Sequence, residues 1–161
     1  MDSDYLKLEV RASEIPGAGN GVFATDPIMK GELVGEYRGK LILEGDEISD
    51  RSKMIRISEF MVDGFGIDKI PCIIALINDC VQFIPVDTSF SKRLTDDDFK
   101  LKLWEGKGYN CAFEQKHDKM FAIATRDITP GEELYISYGI GYWFNALLDK
   151  FVNNMNESPI N

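Results

Sequence analysis

Residues 128–143 place the tightest limits on how this chain can fold, and they read ITPGEELYISYGIGYW. Pro130-Gly131 is a turn signal, so the chain reverses there. Residues 133–138 predict a strand after this turn, because their tyrosines and isoleucine favour extended backbone. Glycine then ends the strand, and Tyr142-Trp143 follow. Tyr138 is therefore expected at a strand end beside two large rings, where functional sites are commonly built; ordinary packing at the rim of the core is the alternative.

The length and hydropathy of the chain favour one globular domain. A chain of 161 residues with 44% hydrophobic residues can bury a single sizeable core. It contains no apolar run of about 18 residues, so we expect no membrane span. The first ten residues are acidic and lack a basic segment before an apolar one, so we expect no secretory signal.

The net charge of −9 limits the classes of partner. Binding to nucleic-acid phosphates rests on clustered lysine and arginine, so we expect no direct sequence-specific contact with nucleic acid. An acidic surface can steer a basic peptide towards the protein. It can equally serve solubility alone, and the charge does not decide between these two interpretations.

The three cysteines, Cys72, Cys80 and Cys111, have no metal-binding spacing. A zinc site needs about four ligands, and the single histidine is His117, so we expect no metal. An odd number of cysteines without a signal segment fits a reducing, intracellular compartment, with all three as buried thiols.

A glycine-rich stretch, IPGAGNGVFA, follows a strand that alternation predicts over residues 5–10. Gly17, Gly19 and Gly21 permit a tight loop in which backbone N–H groups can approach a ligand closely. The spacing does not fit the dinucleotide-binding fingerprint, and no strand–loop–long-helix unit follows. The alternative is a plain turn.

The middle of the chain predicts a series of short elements: two strands over residues 31–42, a surface helix or turn over 44–54, two strands around a bend over 54–63, and an apolar core element over 70–80. The apolar element ends in Asn78-Asp79, which taken alone fits a helix stop at the edge of the core. Residues 81–108 are too apolar for a disordered linker, so we expect a structured excursion, with a helix start or turn at Thr95.

The last third predicts a hairpin, a helix and a tail. Residues 109–114 and 119–126 alternate as two strands, with His117 at the exposed tip of the turn between them. An apolar face predicts a helix over residues 141–152, which could pack on the core or form a dimer interface. We expect a single domain over residues 1–152, a monomer or homodimer, and a frayed tail over 153–161.

Four of these segments, in this order, resemble SET-domain protein lysine methyltransferases, and in particular small stand-alone SET proteins without a cysteine-rich tail. They are the glycine loop with its GVFA continuation, the GEYRG strand, the Asn78-Asp79 turn with a displaced Asn110-Cys111, and the GEEL turn leading to Tyr138. The resemblance implies a mostly β fold with short helices, built from several small sheets with a threaded, knot-like crossing at the active site. Such threading is an exception to the usual rule for protein chains.

The resemblance also assigns residues. Tyr138 matches the catalytic tyrosine, and Tyr37 matches a tyrosine of the lysine channel that supports catalysis. Ile136 lines the channel at the position that often sets the number of methyl groups added. Asn110 would help to hold the crossing. The residues expected to bind the methyl donor are Gly19, Asn20, Asn78, Asp79, Tyr138 and Trp143.

Two features depart from the family pattern. Asp79 stands where the family has a histidine, and residues 81–108 separate two segments that are usually close in sequence. The implied activity is transfer of a methyl group from S-adenosyl-L-methionine to a protein lysine, with S-adenosyl-L-homocysteine as the product. The expected substrate is a basic peptide such as a histone tail, which would place the protein in the nucleus. The alternative is a catalytically impaired SET-like module that binds a peptide or partner protein, and Asp79 favours it.

Overall fold

The structure is a computed structural model that describes residues 7–46, 52–65, 71–85, 99–146 and 148. Several predictions fall outside these residues: the start of the first strand, part of the surface turn after residue 46, the helix start at Thr95, the end of the C-terminal helix and the tail.

The described residues form ten strands: β1 (Leu8–Ala12), β2 (Asn20–Ala24), β3 (Leu33–Tyr37), β4 (Lys40–Ile42), β5 (Met54–Ile57), β6 (Phe60–Asp63), β7 (Val81–Pro85), β8 (Phe99–Leu103), β9 (Cys111–Lys116) and β10 (Lys119–Ala124). They pair as four small sheets, in the orders β1-β2, β3-β10-β9, β4-β6-β5 and β7-β8. A 3-10 helix occupies Ile73–Leu76, and residues 140–146 form a helix, α1. The predicted mostly β fold of several small sheets is confirmed.

Local signals placed most of these strands correctly. Strands β3 and β4, which belong to different sheets, and the paired strands β5 and β6 lie where the sequence predicts them. The hairpin of β9 and β10 has His117 at its exposed tip, where the residue takes a left-handed φ of 56°. The first strand begins at Leu8 and continues to Ala12, two residues beyond the predicted end. The apolar run over residues 70–80 contributes buried Ile74, Ala75 and Ile77 to the core, as predicted.

The chain divides into two compact units. The first comprises Met1–Asp79 and Tyr109–Ile136, and the second comprises Cys80–Gly108 and Ser137–Asn161. The first contains β1–β6, β9 and β10, whereas the second contains the β7-β8 ribbon and α1. A single domain with an excursion over residues 81–108 stays a prediction. Within the described residues, no helix is long and apolar enough to cross a bilayer.

Strand β2 lies at the centre of the first unit. Its residues Val22, Phe23 and Ala24 are at most 1% exposed. Ile28 and Ile128 are buried as well, and each donates its backbone N–H to the other's carbonyl, at 3.0 and 2.8 Å. Burial of a large apolar side chain contributes about 1.5–3 kcal/mol to stability, so this cluster can hold two chain segments 100 residues apart.

The segment predicted as a regular strand over residues 133–138 forms only isolated β-bridges, the last of them at Ile136. Glu133 forms a bridge with Phe23, Tyr135 with Asn78, and Ile136 with Cys111. Because each residue pairs with a different neighbour, no ladder grows long enough to form a regular strand. Tyr138 lies beyond the last bridged residue, Ile136. The segment forms backbone hydrogen bonds with two other parts of the chain, at Asn78 and at Cys111. The threaded crossing itself stays a prediction.

Candidate active site

The glycine loop, residues 13–20, joins β1 to β2 and is closed by its own backbone. The N–H of Ser13 donates to the carbonyl of Gly19 at 2.9 Å, and that of Ala18 donates to Ile15 at 3.1 Å. Gly17 and Gly19 take left-handed φ values of 79° and 74°, and a Cβ at either position would meet open space. Glycine is therefore needed for backbone conformation, and the loop backbone is accessible to a ligand.

Beneath this loop lies Glu133, a buried carboxylate that is 2% exposed. Its Oε1 accepts a hydrogen bond from Ser13 Oγ at 2.6 Å. Its Oε2 accepts one from the backbone N–H of Glu14 at 2.7 Å and one from the hydroxyl of Tyr135 at 2.7 Å. Glu133 thus links the first residues of the loop to the core.

The sequence prediction missed Glu133 as a buried residue, although a signal was present. Successive side chains of an extended segment point to opposite faces, so Glu132 and Glu133 cannot both face water in a core strand. Glu132 forms an ion pair with Arg126, which lowers the pKa of the Glu132 carboxyl although burial by itself would raise it. Of the two neighbouring glutamates, Glu133 is the one that points inward.

Three of the predicted donor-binding residues come together beside Glu133. The side-chain amide of Asn78 donates to the carbonyl of Asn20 at 2.9 Å and approaches Glu133 Oε1 at 3.5 Å. Asn20 follows Gly19 directly, so Gly19, Asn20 and Asn78 lie at one end of the glycine loop. Asn78 is only 8% exposed, and its amide nitrogen holds the loop in place.

Asp79, the residue that departs from the family pattern, has a partner that the sequence did not predict. Its Oδ1 accepts a hydrogen bond from the hydroxyl of Tyr109 at 2.8 Å, and Asp79 is 6% exposed. A buried carboxylate requires such hydrogen bonds, because its removal from water is otherwise costly. Tyr109 therefore compensates in part for a carboxylate at this position.

Asn110 anchors the extended segment from its other side. Its Nδ2 donates to the carbonyl of Glu133 at 2.8 Å, and its Oδ1 accepts from the backbone N–H of Tyr135 at 2.7 Å. Asn110 is fully buried. The side-chain amide thus pairs with the backbone as a neighbouring strand would, while the role of Asn110 in holding a threaded crossing stays a prediction.

Tyr37 ends β3 in the first unit, with 7% of its surface exposed. Its hydroxyl donates to the carbonyl of Lys53 at 2.5 Å, and its ring meets Phe113 edge-on at 6.0 Å. A Cβ at Gly64 would lie 2.5 Å from the hydroxyl oxygen, so only glycine leaves room for it. The ring of Tyr37 is held firmly, while its hydroxyl is engaged with backbone. Ile136, the other predicted channel residue of this unit, is 1% exposed.

In the second unit, Tyr138 belongs to a cluster of three rings at the start of α1. Its ring meets Tyr142 edge-on at 4.7 Å and stacks on Trp143 at 6.2 Å, with an angle of 17° between the planes. Tyr142 and Trp143 also meet edge-on, at 5.4 Å. The turn that brings these rings together uses a left-handed φ of 80° at Gly139, whose N–H donates to Ser137 Oγ. The structure therefore brings the rings of Tyr138 and Trp143 together. Separately, it brings Asn78 together with Gly19 and Asn20.

The three cysteines are free thiols. Burial raises the pKa of Cys111 to about 12 and also raises the pKa of Cys72, so both thiols stay protonated at neutral pH. Among the residues that the structure describes, no three His, Cys, Asp or Glu side chains form a group that could hold a metal ion.

Comparison with known proteins places this arrangement in a family. The SET-domain family model matches residues 19–139, which is more than half of the chain, and the protein therefore belongs to the SET-domain family. The matched range begins at Gly19 and includes Tyr37, Asn78, Asp79 and Tyr138, whereas Trp143 lies beyond it. A search of curated proteins found no match.

Solved structures agree on the fold. The methyltransferase domain of human PR domain-containing protein 2 superimposes with a TM-score of 0.56 and 17% identity, covering 83% of this chain and 77% of that one. A Plasmodium falciparum protein, proposed to be a histone methyltransferase, superimposes with a TM-score of 0.53 and 17% sequence identity, covering 85% of this chain and 96% of that one. At this identity, the likeness supports the fold alone.

Proposed function

We propose that the protein transfers a methyl group from S-adenosyl-L-methionine to a lysine side chain of a basic protein substrate, with a histone tail as the expected target. The observation that carries the proposal is the SET-domain match, which spans both the start of β2 at the glycine loop and Tyr138. The two solved structures that share the fold are a methyltransferase domain and a protein proposed to be a histone methyltransferase, so the fold is compatible with this reaction.

The residues around the glycine loop fit the proposed donor. S-adenosylmethionine carries an amino-acid end and an adenosine, and both need hydrogen-bonding partners when they leave water. The open backbone at Gly19 and Asn20 offers such groups, and Asn78 and Asp79 add polar side chains beside them. When bound, the donor supplies a sulfonium methyl group, and the ring of Trp143 suits its positive charge.

Lysine must be neutral to accept a methyl group. With an ordinary pKa of about 10.4, well under about 1% of lysine is neutral at pH 7–8. An aromatic channel lowers this pKa, because removal from water disfavours the ammonium form. In the proposal, the ring of Tyr37 forms a channel wall, and the hydroxyl of Tyr138 orients the amine for in-line attack, which contributes through positioning.

The net charge of −9 supports a basic peptide as substrate, through electrostatic steering. A histone target would place the protein in the nucleus, and the free thiols fit a reducing compartment. Whether the protein acts as a monomer or homodimer stays a prediction.

A second candidate is a SET-like module that binds a peptide without catalysis. Asp79 favours it, because this residue replaces the histidine of the family pattern and its carboxylate is already bonded to Tyr109. Calorimetry with S-adenosylmethionine separates the two candidates. Donor binding with methyl transfer supports the enzyme, and absence of both supports the module.

Replacement of Tyr138 by phenylalanine tests the enzymatic proposal. We expect Tyr138→Phe to remove most methyl transfer while leaving the melting temperature unchanged, because only the orienting hydroxyl is lost. The assay incubates histones and peptides with labelled donor and locates the product by mass spectrometry. Tyr142→Phe is the matched control, since it removes a hydroxyl from the adjacent ring but keeps the edge contact with Tyr138. Near-normal turnover by folded Tyr138→Phe would remove this tyrosine from the mechanism.

A further inference from the structure

Glu133 combines near-complete burial with hydrogen bonds to the glycine loop. At least four donors surround it: Ser13 Oγ, the N–H of Glu14, the hydroxyl of Tyr135 and, at the longer distance of 3.5 Å, Nδ2 of Asn78. Loop and core donors share each oxygen. Any movement of the carboxylate therefore moves the entry of the loop relative to the core.

The hydrogen bonds continue from Glu133 through the loop. Ser13 Oγ donates to Glu133 and accepts from the N–H of Ile15 at 3.1 Å, so it transmits the position of the carboxylate to the next turn. The N–H of Ser13 in turn fixes Gly19 by a 2.9 Å hydrogen bond. Ser13, which is anchored on Glu133, thus contacts both ends of the loop.

A carboxylate can accept from all four of these groups at once. An ionised carboxylate has acceptor sites alone, whereas a glutamine amide presents two N–H donors at one of its two positions. In Glu133→Gln, the amide would therefore turn donors towards Ser13 and Asn78, or towards Glu14 and Tyr135. Buried donors without an acceptor are costly, so the loop would have to shift.

The packing around Glu133 leads to the same conclusion. A Cβ at Gly21 would lie 2.1 Å from Oε1 of Glu133 and 3.3 Å from Cβ of Ser13. The absence of a side chain at Gly21, in β2, creates the space that the carboxylate occupies. Space, hydrogen bonds and burial therefore fix a single position for this group.

We propose that Glu133 is a positioning residue: it sets the shape of the glycine loop and, through Gly19 and Asn20, the affinity for the methyl donor. The second half of this statement rests on the proposed function. The first half concerns the protein alone and can be tested without any ligand.

Amide hydrogen exchange of the free protein tests the first half. Glu133→Gln is compared with Glu132→Gln, the same change one residue earlier, whose carboxylate pairs with Arg126. We expect Glu133→Gln to speed exchange over residues 13–20 by about tenfold, because loss of a buried hydrogen-bond partner lowers the free energy of local opening and so raises the population of the open, exchanging state by about that factor. The β9-β10 hairpin should exchange as in the wild type in both variants. Unchanged exchange in the loop, or an equal increase in the hairpin, would overturn the proposal.

Binding of S-adenosylhomocysteine tests the second half with milder changes. Ser13→Ala removes the loop-side hydrogen bond to Glu133, and Tyr135→Phe removes the core-side one while keeping the ring. We expect Ser13→Ala to weaken binding about tenfold and Tyr135→Phe by less than about threefold, at comparable losses in melting temperature. In turnover, Ser13→Ala should raise KM for the donor and leave kcat nearly unchanged.

The outcomes separate the two claims. Equal weakening by Ser13→Ala and Tyr135→Phe would make Glu133 a general stability residue and overturn the inference. A wild-type protein that binds no donor, with the exchange result as expected, would refute the proposed function and leave the positioning role of Glu133 intact.

Discussion

Substitution of Gly21 by alanine introduces one methyl group directly against the buried carboxylate of Glu133. Gly21 is buried in β2, and its new Cβ would lie 2.1 Å from Oε1 and 2.9 Å from Cδ of Glu133. Its φ lies outside the left-handed region, so backbone strain does not contribute. The whole effect arises from the collision with the buried carboxylate.

The magnitude follows from two costs. Overpacking of a dense core costs about 1–3 kcal/mol. Displacement of the carboxylate from Ser13 and Glu14 adds about 1–3 kcal/mol for buried donors left without an acceptor. The two costs together amount to about 2–6 kcal/mol, and for a chain of this size a loss of about 4 kcal/mol lowers the melting temperature by about 8–16 °C.

Thermal and urea unfolding of Gly21→Ala measure this loss directly. Gly108→Ala is the control, because its Cβ would meet nothing within 4 Å and its φ also lies outside the left-handed region. We expect Gly108→Ala to stay within about 2 °C of the wild type, as surface substitutions usually do.

A double-mutant cycle assigns the loss to its cause. Glu133→Asp shortens the carboxylate side chain by one methylene and leaves room for the new Cβ at Gly21. The two substitutions together should therefore cost less than the sum of the single ones, by about 0.5–3 kcal/mol. A melting temperature of Gly21→Ala within 2 °C of the wild type, or strictly additive losses, would refute the reasoning about this contact.

Three further predictions concern donor binding, product number and pH dependence. Trp143→Ala should weaken calorimetric binding of S-adenosylmethionine by more than its loss of melting temperature accounts for; unchanged affinity would make the ring structural. Ile136 carries no hydroxyl to restrain the amine, so exhaustive reaction should give di- or trimethylated product by mass spectrometry, and strict monomethylation would contradict this. The hydrogen bond from Lys7 lowers the pKa of Glu32 from its ordinary 4.5. The ionised Glu32 carboxylate therefore stabilises the folded protein fully above pH 4.5, and this contribution is lost as the pH falls through the lowered pKa. Urea unfolding should thus show that Lys7→Met destabilises the protein at pH 7 and has progressively less effect below pH 4.5.

Part of the site could be predicted from sequence because its signals are local or reside in motifs. Gly17 and Gly19 indicated a tight, accessible loop. In the structure each of these glycines has a left-handed φ, and a Cβ at either would meet open space. The motif resemblance selected Asn78 and Asn110, and the structure engages both side chains with backbone of distant segments. The roles proposed for Tyr37 and Tyr138 in methyl transfer stay predictions.

Other parts could not be predicted, because they depend on pairs far apart in the chain. The partner of Asp79 is Tyr109, 30 residues later, and no periodicity links the two. The interruption of the predicted strand after Ile136 has a similar origin. Glu133, Tyr135 and Ile136 pair with three different segments, so their β propensity produces extended backbone without a regular ladder.

The amino-acid sequence alone determined the elements whose partners lie within a few residues: the hairpin of β9 and β10, the pair β5/β6, and the turns at glycine and proline. Alternation and turn chemistry suffice there, because the pairing register follows from the connecting turn. Only the tertiary structure decided that Glu133 faces inward beneath the glycine loop. Its hydrogen-bond partner Ser13 lies 120 residues away, and burial of a carboxylate is favourable only once the fold has brought enough donors around it.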